Sequence, residues 1–311
     1  MTGRSVWTQS VCGLVLVVGL AGVLQRAAAQ ERQLKKRVAV LNFEDRTDRR
    51  ARWGGGETPG TGMADMLTTA LVQSGRYTVL ERAEIDRVLQ EQDLGASGVV
   101  TPQSATAVGQ MLGAEIVVFG SITEFGYRDR STGGRTRRLG IGVESQSAVV
   151  AADVRMVNAS TGEIVAADDV RESRSARGLR VNTRDLDFGT QSEFDESLVG
   201  KATRDAIERI VELLDEQAPG IPWEAKVVTT NGGSVFINAG AEAGVEVGDR
   251  FVVRRAGEKL VDPDTGLELG AVEQEVGVIE VVDNRMGDGK ASRCSVVSGG
   301  AFRRGDLVRD Q

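Results

Sequence analysis

The hexapeptide APGIPW at residues 218–223 divides the chain into two stretches of different periodicity. Pro219, Gly220 and Pro222 all break regular structure, so the stretch reads as a linker. Beyond it helical periodicity is gone. The runs KVVTT, SVFINAG, DRFVVRRAG, EVGVIEVVD, ASRCSVVSG and GDLVRD are short, β-rich and separated by Gly, Asp and Asn turns. That spacing predicts a small all-β barrel or sandwich over residues 225–311.

Before the break, strand and helix periods alternate. RVAVLNFED reads as a strand buried on both faces through Val38, Val40, Leu41 and Phe43. A loop is expected from Asp48 to Thr61. Met63, Met66, Leu67, Ala70 and Leu71 then recur at helical spacing and stop at Gly75. YTVLER (77–82) predicts a second strand, and Ile85, Val88 and Leu89 a second helix. Thr101-Pro102 opens a third helix, with a cap residue before a first-turn proline. AEIVVFGSITEFGY (114–127) is an apolar strand, and AVVAADVRMVNASTGEIVAAD (148–168) alternates around a turn as a hairpin does. Ser192 is expected to cap a long helix to about Gln217, with Phe194, Leu198, Ala202, Ala206, Ile210 and Leu213 as its apolar stripe. The predicted class is α+β. A three-layer α/β domain over 37–217, with a hairpin and a long closing helix, precedes the small all-β barrel-like domain.

Residues 1–29 carry Arg4, an apolar run from Val11 to Leu24 and small residues at Ala27–Ala29. This predicts a secretory signal peptide cut between Ala29 and Gln30, since the apolar run is shorter than the ~20 residues that cross a bilayer. Cys12 begins the apolar run rather than following it, so lipid attachment there is not expected. Cys294 is then the only cysteine left, which rules out an intrachain disulfide and reads as a small buried hydrophobe. A net charge of −7 gives no broad basic field for nucleic acid, although arginines gather at 46–52, 128–138 and 171–184.

RWGGGETPGTGMADML (52–67) invites a phosphate-loop reading and departs from it. The helix begins Gly62-Met63-Ala64 without the lysine that reaches phosphates, and Gly60-Thr61-Gly62 is followed by Asp65 where a dinucleotide loop has its last glycine. Glu57 and Asp65 would repel phosphate, so a surface loop is expected. The chain has no histidine, which excludes histidine triads and most zinc sites. No pair stands out among 45 acidic residues as a glycosidase dyad. DPDTGLE (262–268) departs from the EF-hand spacing and reads as a β-turn through Pro263, Asp264 and Gly266. No catalytic, cofactor or metal site is expected.

RVAVLNFEDRT, GMADMLTTALVQSGRYTVLER, AEIVVFGSITEF and above all LGIGVESQSAVVAADVRMVNASTGEIV resemble the curli-production secretion component, the CsgG family, over about residues 37–217. The C-terminal part, with GVEVGDRFVVRRAGEKLVDPDTGLELG and GDLVRD, resembles the C-terminal domain of flagellar assembly protein T. The first resemblance implies an exported homo-oligomeric ring at the outer membrane that passes secreted protein clients without nucleotide hydrolysis. It places a pore constriction on the loop after the first strand, here Arg49, Arg50, Arg52, Trp53, Gly54, Gly55 and Gly56. It also places membrane hairpins at about 133–157 and 165–196, with Leu139, Ile141, Val143, Arg174, Arg177, Leu179 and Val181 as the membrane or partner residues. Ser145 and Ser147 interrupt the apolar alternation of the first region. In the second, Arg171 and Arg177 fall on one face and Arg174, Arg180 and Arg184 on the other. An arginine at mid-bilayer costs ~2–4 kcal/mol, which leaves open a soluble periplasmic adaptor whose arginine-rich hairpin meets a partner.

Overall fold

Strand β1 (Arg37–Val40) is buried on both faces, and its sequence explains why. Val38 and Val40 face one helical layer, while Ala39, continued by Leu41, faces the other. The computed structural model describes residues 34–47, 58–81, 85, 100–130, 145–177, 191–261, 263 and 268–310. β1 lies between β3 (Thr78–Val79) and β4 (Ile116–Arg130), parallel to both. β5 (Ser145–Asn158) and β6 (Ile164–Arg177) follow antiparallel, giving the order β3-β1-β4-β5-β6, and β2 (Glu44–Asp45) adds in parallel to β4.

Helix α1 (Pro59–Ser74) starts earlier than its apolar stripe suggests. Thr58 caps it by accepting from the Thr61 N–H, and Pro59 stands at its first position. Pro59, Gly60 and Thr61, expected in the loop, are therefore helical. Gly60 lets this end pack on β1's exit, because a Cβ there would overlap the Phe43 carbonyl. Gly75, at φ 68°, closes the helix in the left-handed region. Helix α2 (Pro102–Leu112) opens with a capping box between Thr101 and Ser104. Ile85 is helical and buried, while the rest of the second predicted helix lies outside the described residues.

The predicted closing helix is two helices, α3 (Gln191–Glu196) and α4 (Leu198–Gln217). Ser197, rather than Ser192, caps the long one, accepting from the Gly200 N–H at 2.9 Å. Gly200 sits so close to the Phe194 carbonyl that a side chain would collide with it, which fixes the break. The apolar stripe holds: Phe194, Ala202, Ala206, Ile210 and Leu213 are buried with α1 against Val150, Val154 and Met156. On the opposite face Ala105 and Val108 of α2 cover Val117 and Phe119. This is the expected three-layer arrangement.

Six strands close the expected barrel: β7 (Glu224–Asn231), β8 (Ser234–Ile237), β9 (Arg250–Val261), β10 (Glu268–Met286), β11 (Ala291–Gly299) and β12 (Leu307–Asp310), in the order β10-β11-β8-β7-β12-β9. Val227, Val235, Ile237, Val253, Ile279, Val281, Cys294 and Val308 are buried. Cys294 is thus the small core residue expected, and burial pushes its thiol up to about 12. The hexapeptide 218–223 is no slack linker: Ala218, Ile221 and Trp223 are buried, and Trp223 stacks on Phe251 at 5.1 Å.

A carboxylate joins the sheet to the barrel. Glu115, 2% exposed, accepts from the Arg37 N–H at 2.6 Å, from Arg37 Nε at 3.3 Å and from the Glu224 N–H at 3.1 Å. Arg37 Nη2 donates to the Glu224 carbonyl, and the Glu224 carboxylate takes Arg309 Nε at 3.0 Å and the Ser160 hydroxyl at 3.1 Å. Burial raises the Glu115 carboxyl above the usual carboxylate range, outweighing Arg37 and the backbone donors.

Candidate functional site

The sheet has two ends of different character. At one, Arg37, Glu115 and the Asn158–Ile164 turn meet the barrel. At the other, Arg130, Ser145 and Arg177 are register partners across β4, β5 and β6. β2 also points that way, with Arg46 N–H donating to the Ile122 carbonyl at 2.9 Å, before the described chain stops at Thr47. Thr47, Arg130, Ser145 and Arg177 are the described residues nearest this second end, the arm end.

The arm end is built from β4. A register shift between Ile122 and Glu124 turns over the side-chain alternation. Ile122 and, beyond the shift, Phe125 and Tyr127 consequently all reach the core beneath α4. Tyr127 lies beside Ser197 and Leu198 at the α4 start, and burial raises its phenol above the usual value, outweighing the donors from that start. Glu124 emerges on the other face. Its carboxylate pairs with Arg171 Nη2 and with Arg128 Nε, both at 2.5 Å. A cleft of about 330 Å³ runs between Thr47 and residues 123–128. Asp45 shapes its margin by accepting from the Thr47 N–H at 3.0 Å and hydroxyl at 2.7 Å.

Arg174 lies on the α4 side, where it forks onto Asp205 through Nε and through Nη2, the latter at 2.6 Å. Arg171 and Arg174 thus occupy opposite faces, as their spacing predicts, but both belong to an edge strand of the sheet and both have carboxylate partners. Likewise, residues 145–157, assigned to a membrane hairpin by resemblance, form an interior strand whose Ala148, Val150, Ala152 and Val154 are buried beneath helices. Arg177 ends β6. Arg49, Arg50, Arg52, Trp53, Gly54, Gly55, Gly56, Leu139, Ile141, Val143, Leu179, Val181, Ala29 and Gln30 lie outside the described residues. Sequence reading missed Glu124, Tyr127 and Asp205. Arg171, Ser197 and Arg174, the partners that draw them into the arm end, are 47, 70 and 31 positions away, beyond any local pattern.

Among the described residues no group of three or more His, Cys, Asp or Glu could hold a metal ion, and no helix is long and apolar enough to cross a membrane. A sequence profile of the family described as curli production assembly/transport component CsgG matches residues 20–240. The chain belongs to the CsgG family. The match extends past 37–217 on both sides and takes in β7 and β8 of the barrel. A Neisseria meningitidis serogroup B protein named as a lipoprotein, NMB1126/NMB1164, is 32% identical over 164 residues, 51% of this chain and 66% of that protein. The CsgG component of Salmonella typhimurium is 33% identical over 106 residues, 32% of this chain and 38% of that protein. The chain thus matches less than two thirds of the length of either relative. The crystal structure of lipoprotein GNA1162 from Neisseria meningitidis aligns at 13% identity and a TM-score of 0.34, covering 60% of this chain and 99% of that one.

Proposed function

We propose that this CsgG-family protein is an exported, non-enzymatic component of a curli-type secretion or assembly system at the outer membrane. In this reading copies form a ring, Leu139, Ile141, Val143, Arg174, Arg177, Leu179 and Val181 belong to the membrane or partner hairpins, and Arg49, Arg50, Arg52, Trp53 and Gly54–Gly56 narrow the pore. The observation that supports the reading is that Thr47, Arg130, Ser145 and Arg177, the described residues bordering the resemblance's loop and hairpin tips, gather at the arm end, opposite the barrel. Leu139, Ile141, Val143, Leu179 and Val181 are then the lipid-facing candidates, and Arg49, Arg50 and Arg52 ring the axis beside Trp53 and Gly54–Gly56. Cleavage between Ala29 and Gln30 delivers the mature chain.

A ring of arginines at a constriction favours anions, which makes the reading testable. The mature protein is expected to need detergent, to form rings in electron micrographs and to give anion-selective conductance in planar bilayers. Replacing Arg49, Arg50 and Arg52 together by Ser is expected to abolish that selectivity, read as the reversal potential in a salt gradient. A detergent-free monomer without conductance would refute the pore and favour a soluble periplasmic adaptor on the same scaffold.

A further inference from the structure

A second, larger cleft of about 640 Å³ lies at the barrel end, between the sheet's β3 edge and the barrel. Its size is that of a binding pocket, whose volume commonly runs to ~300–1,000 Å³. Val79, Leu80, Met111, Leu112 and Trp223 supply apolar wall, and Met111 is exposed. Among the described residues the sheet ends at β3, beside the cleft. β3 is the terminal strand, and Thr78 and Leu80 donate their N–H groups to Lys36 and Val38 of the β1 side. The alternate residue, Val79, therefore turns its N–H and C=O away from β1. Thr78, another wall residue, holds its hydroxyl buried with no hydrogen-bond partner among the described residues, an arrangement that costs stability unless an incoming group satisfies it.

Charge on the walls narrows the occupant. Lys35 and Lys290 stand with Glu81 and Glu242. Arg37 and Glu224 are committed to Glu115 and Arg309. A polyanion or an anionic lipid surface would meet as many repelling as attracting groups, whereas a polypeptide of mixed charge can match both. We infer that this cleft binds an extended segment of a protein partner, which adds as a strand to the free edge of β3 and lays alternate apolar side chains against Met111, Leu112 and Trp223. Strand addition takes its affinity from main-chain hydrogen bonds and its selectivity from the alternate side chains. The site is independent of the pore reading, because it lies at the opposite end of the sheet and uses none of the arm residues.

The test uses the full mature chain and a phage-displayed library of random peptides of about twelve residues, with selected peptides synthesised and titrated by fluorescence anisotropy. Enriched peptides should alternate apolar residues. Val79→Pro removes the outward N–H while leaving the bonds of Thr78 and Leu80 to β1, and Met111→Glu charges an exposed wall position. Each is expected to weaken binding about tenfold or more with circular dichroism unchanged. Thr78→Val is expected to raise the melting temperature of the free protein while weakening the peptide, a pair of opposite effects that a purely structural threonine would not produce. Failure to enrich peptides, or affinities indifferent to both Val79→Pro and Met111→Glu, would overturn the proposal. So would sedimentation showing that a second copy fills the cleft. Bilayer conductance is expected to be unaffected by the variants, which separates this result from that of the pore.

Discussion

Replacing Glu115 by Ala is expected to be among the most costly single changes available in this protein. The carboxylate is 2% exposed and serves three donors, two of them the backbone N–H groups of Arg37 and Glu224. Orphaning a buried donor costs about 1–3 kcal/mol, so the two backbone groups together account for about 2–6 kcal/mol. The Arg37 guanidinium keeps only the Glu224 carbonyl, and Lys36, itself 8% exposed, loses an attracting charge. The sum agrees with the ~3–5 kcal/mol typical of a buried pair deprived of one partner. Urea unfolding at neutral pH measures it, and hydrogen exchange should show the loosening first in β7, which Glu115 holds. Arg37→Met with Glu115→Met relieves only the unpaired guanidinium and leaves the two backbone N–H groups without an acceptor, so the double variant should recover only a minor part of the loss. Because the folded carboxyl sits above its usual range, this group contributes its stability at low pH and loses it as the pH rises through the folded value. Glu115→Gln should remove that pH slope. A loss below about 1 kcal/mol for Glu115→Ala, or a double variant as stable as the unsubstituted protein, would refute the role given to this carboxylate.

Other outcomes follow from packing and exposure. Gly60→Ala should cost about 1–3 kcal/mol in urea unfolding, because the new methyl meets the Phe43 carbonyl. Gly75→Ala has open space around it and should cost only about 1 kcal/mol, from its φ of 68° alone. Cys294, with its thiol pushed up to about 12, should resist iodoacetamide in the folded protein at pH 8 and react after denaturation. Arg174→Gln should cost little in urea unfolding, since the guanidinium that forks onto Asp205 is itself exposed.

The sequence announced elements through period and failed where distance decides. Alternation in KVVTT or AVVAAD needs no knowledge of a partner, so the barrel strands and the hairpin could be read directly. Thr101-Pro102 likewise carries its own capping chemistry. The α1 start was missed because Gly60 and Gly62 look like loop residues until Phe43 is seen lying against the helix. The break at Ser197 depends on Gly200 meeting Phe194, a contact hidden within an otherwise continuous stripe. APGIPW read as a linker because its prolines and glycine are visible, while the burial of Trp223 depends on Phe251, 28 positions later. At the arm end the arginine clusters were legible, while the pairing of Arg171 with Glu124 and of Arg174 with Asp205 was not.

The ladders of the sheet also differ in how they bear load. β4 and β5 are joined at fourteen paired positions and β5 and β6 at thirteen, whereas β1 and β3 share two. A pull on the arm end along the strand axis acts on the long ladders in shear, so many hydrogen bonds must yield together. The same force on β3 has only two rungs to break. The sheet is thus mechanically asymmetric: its central strands can transmit tension over the ~50 Å of β4, while its β3 margin can peel without disturbing them.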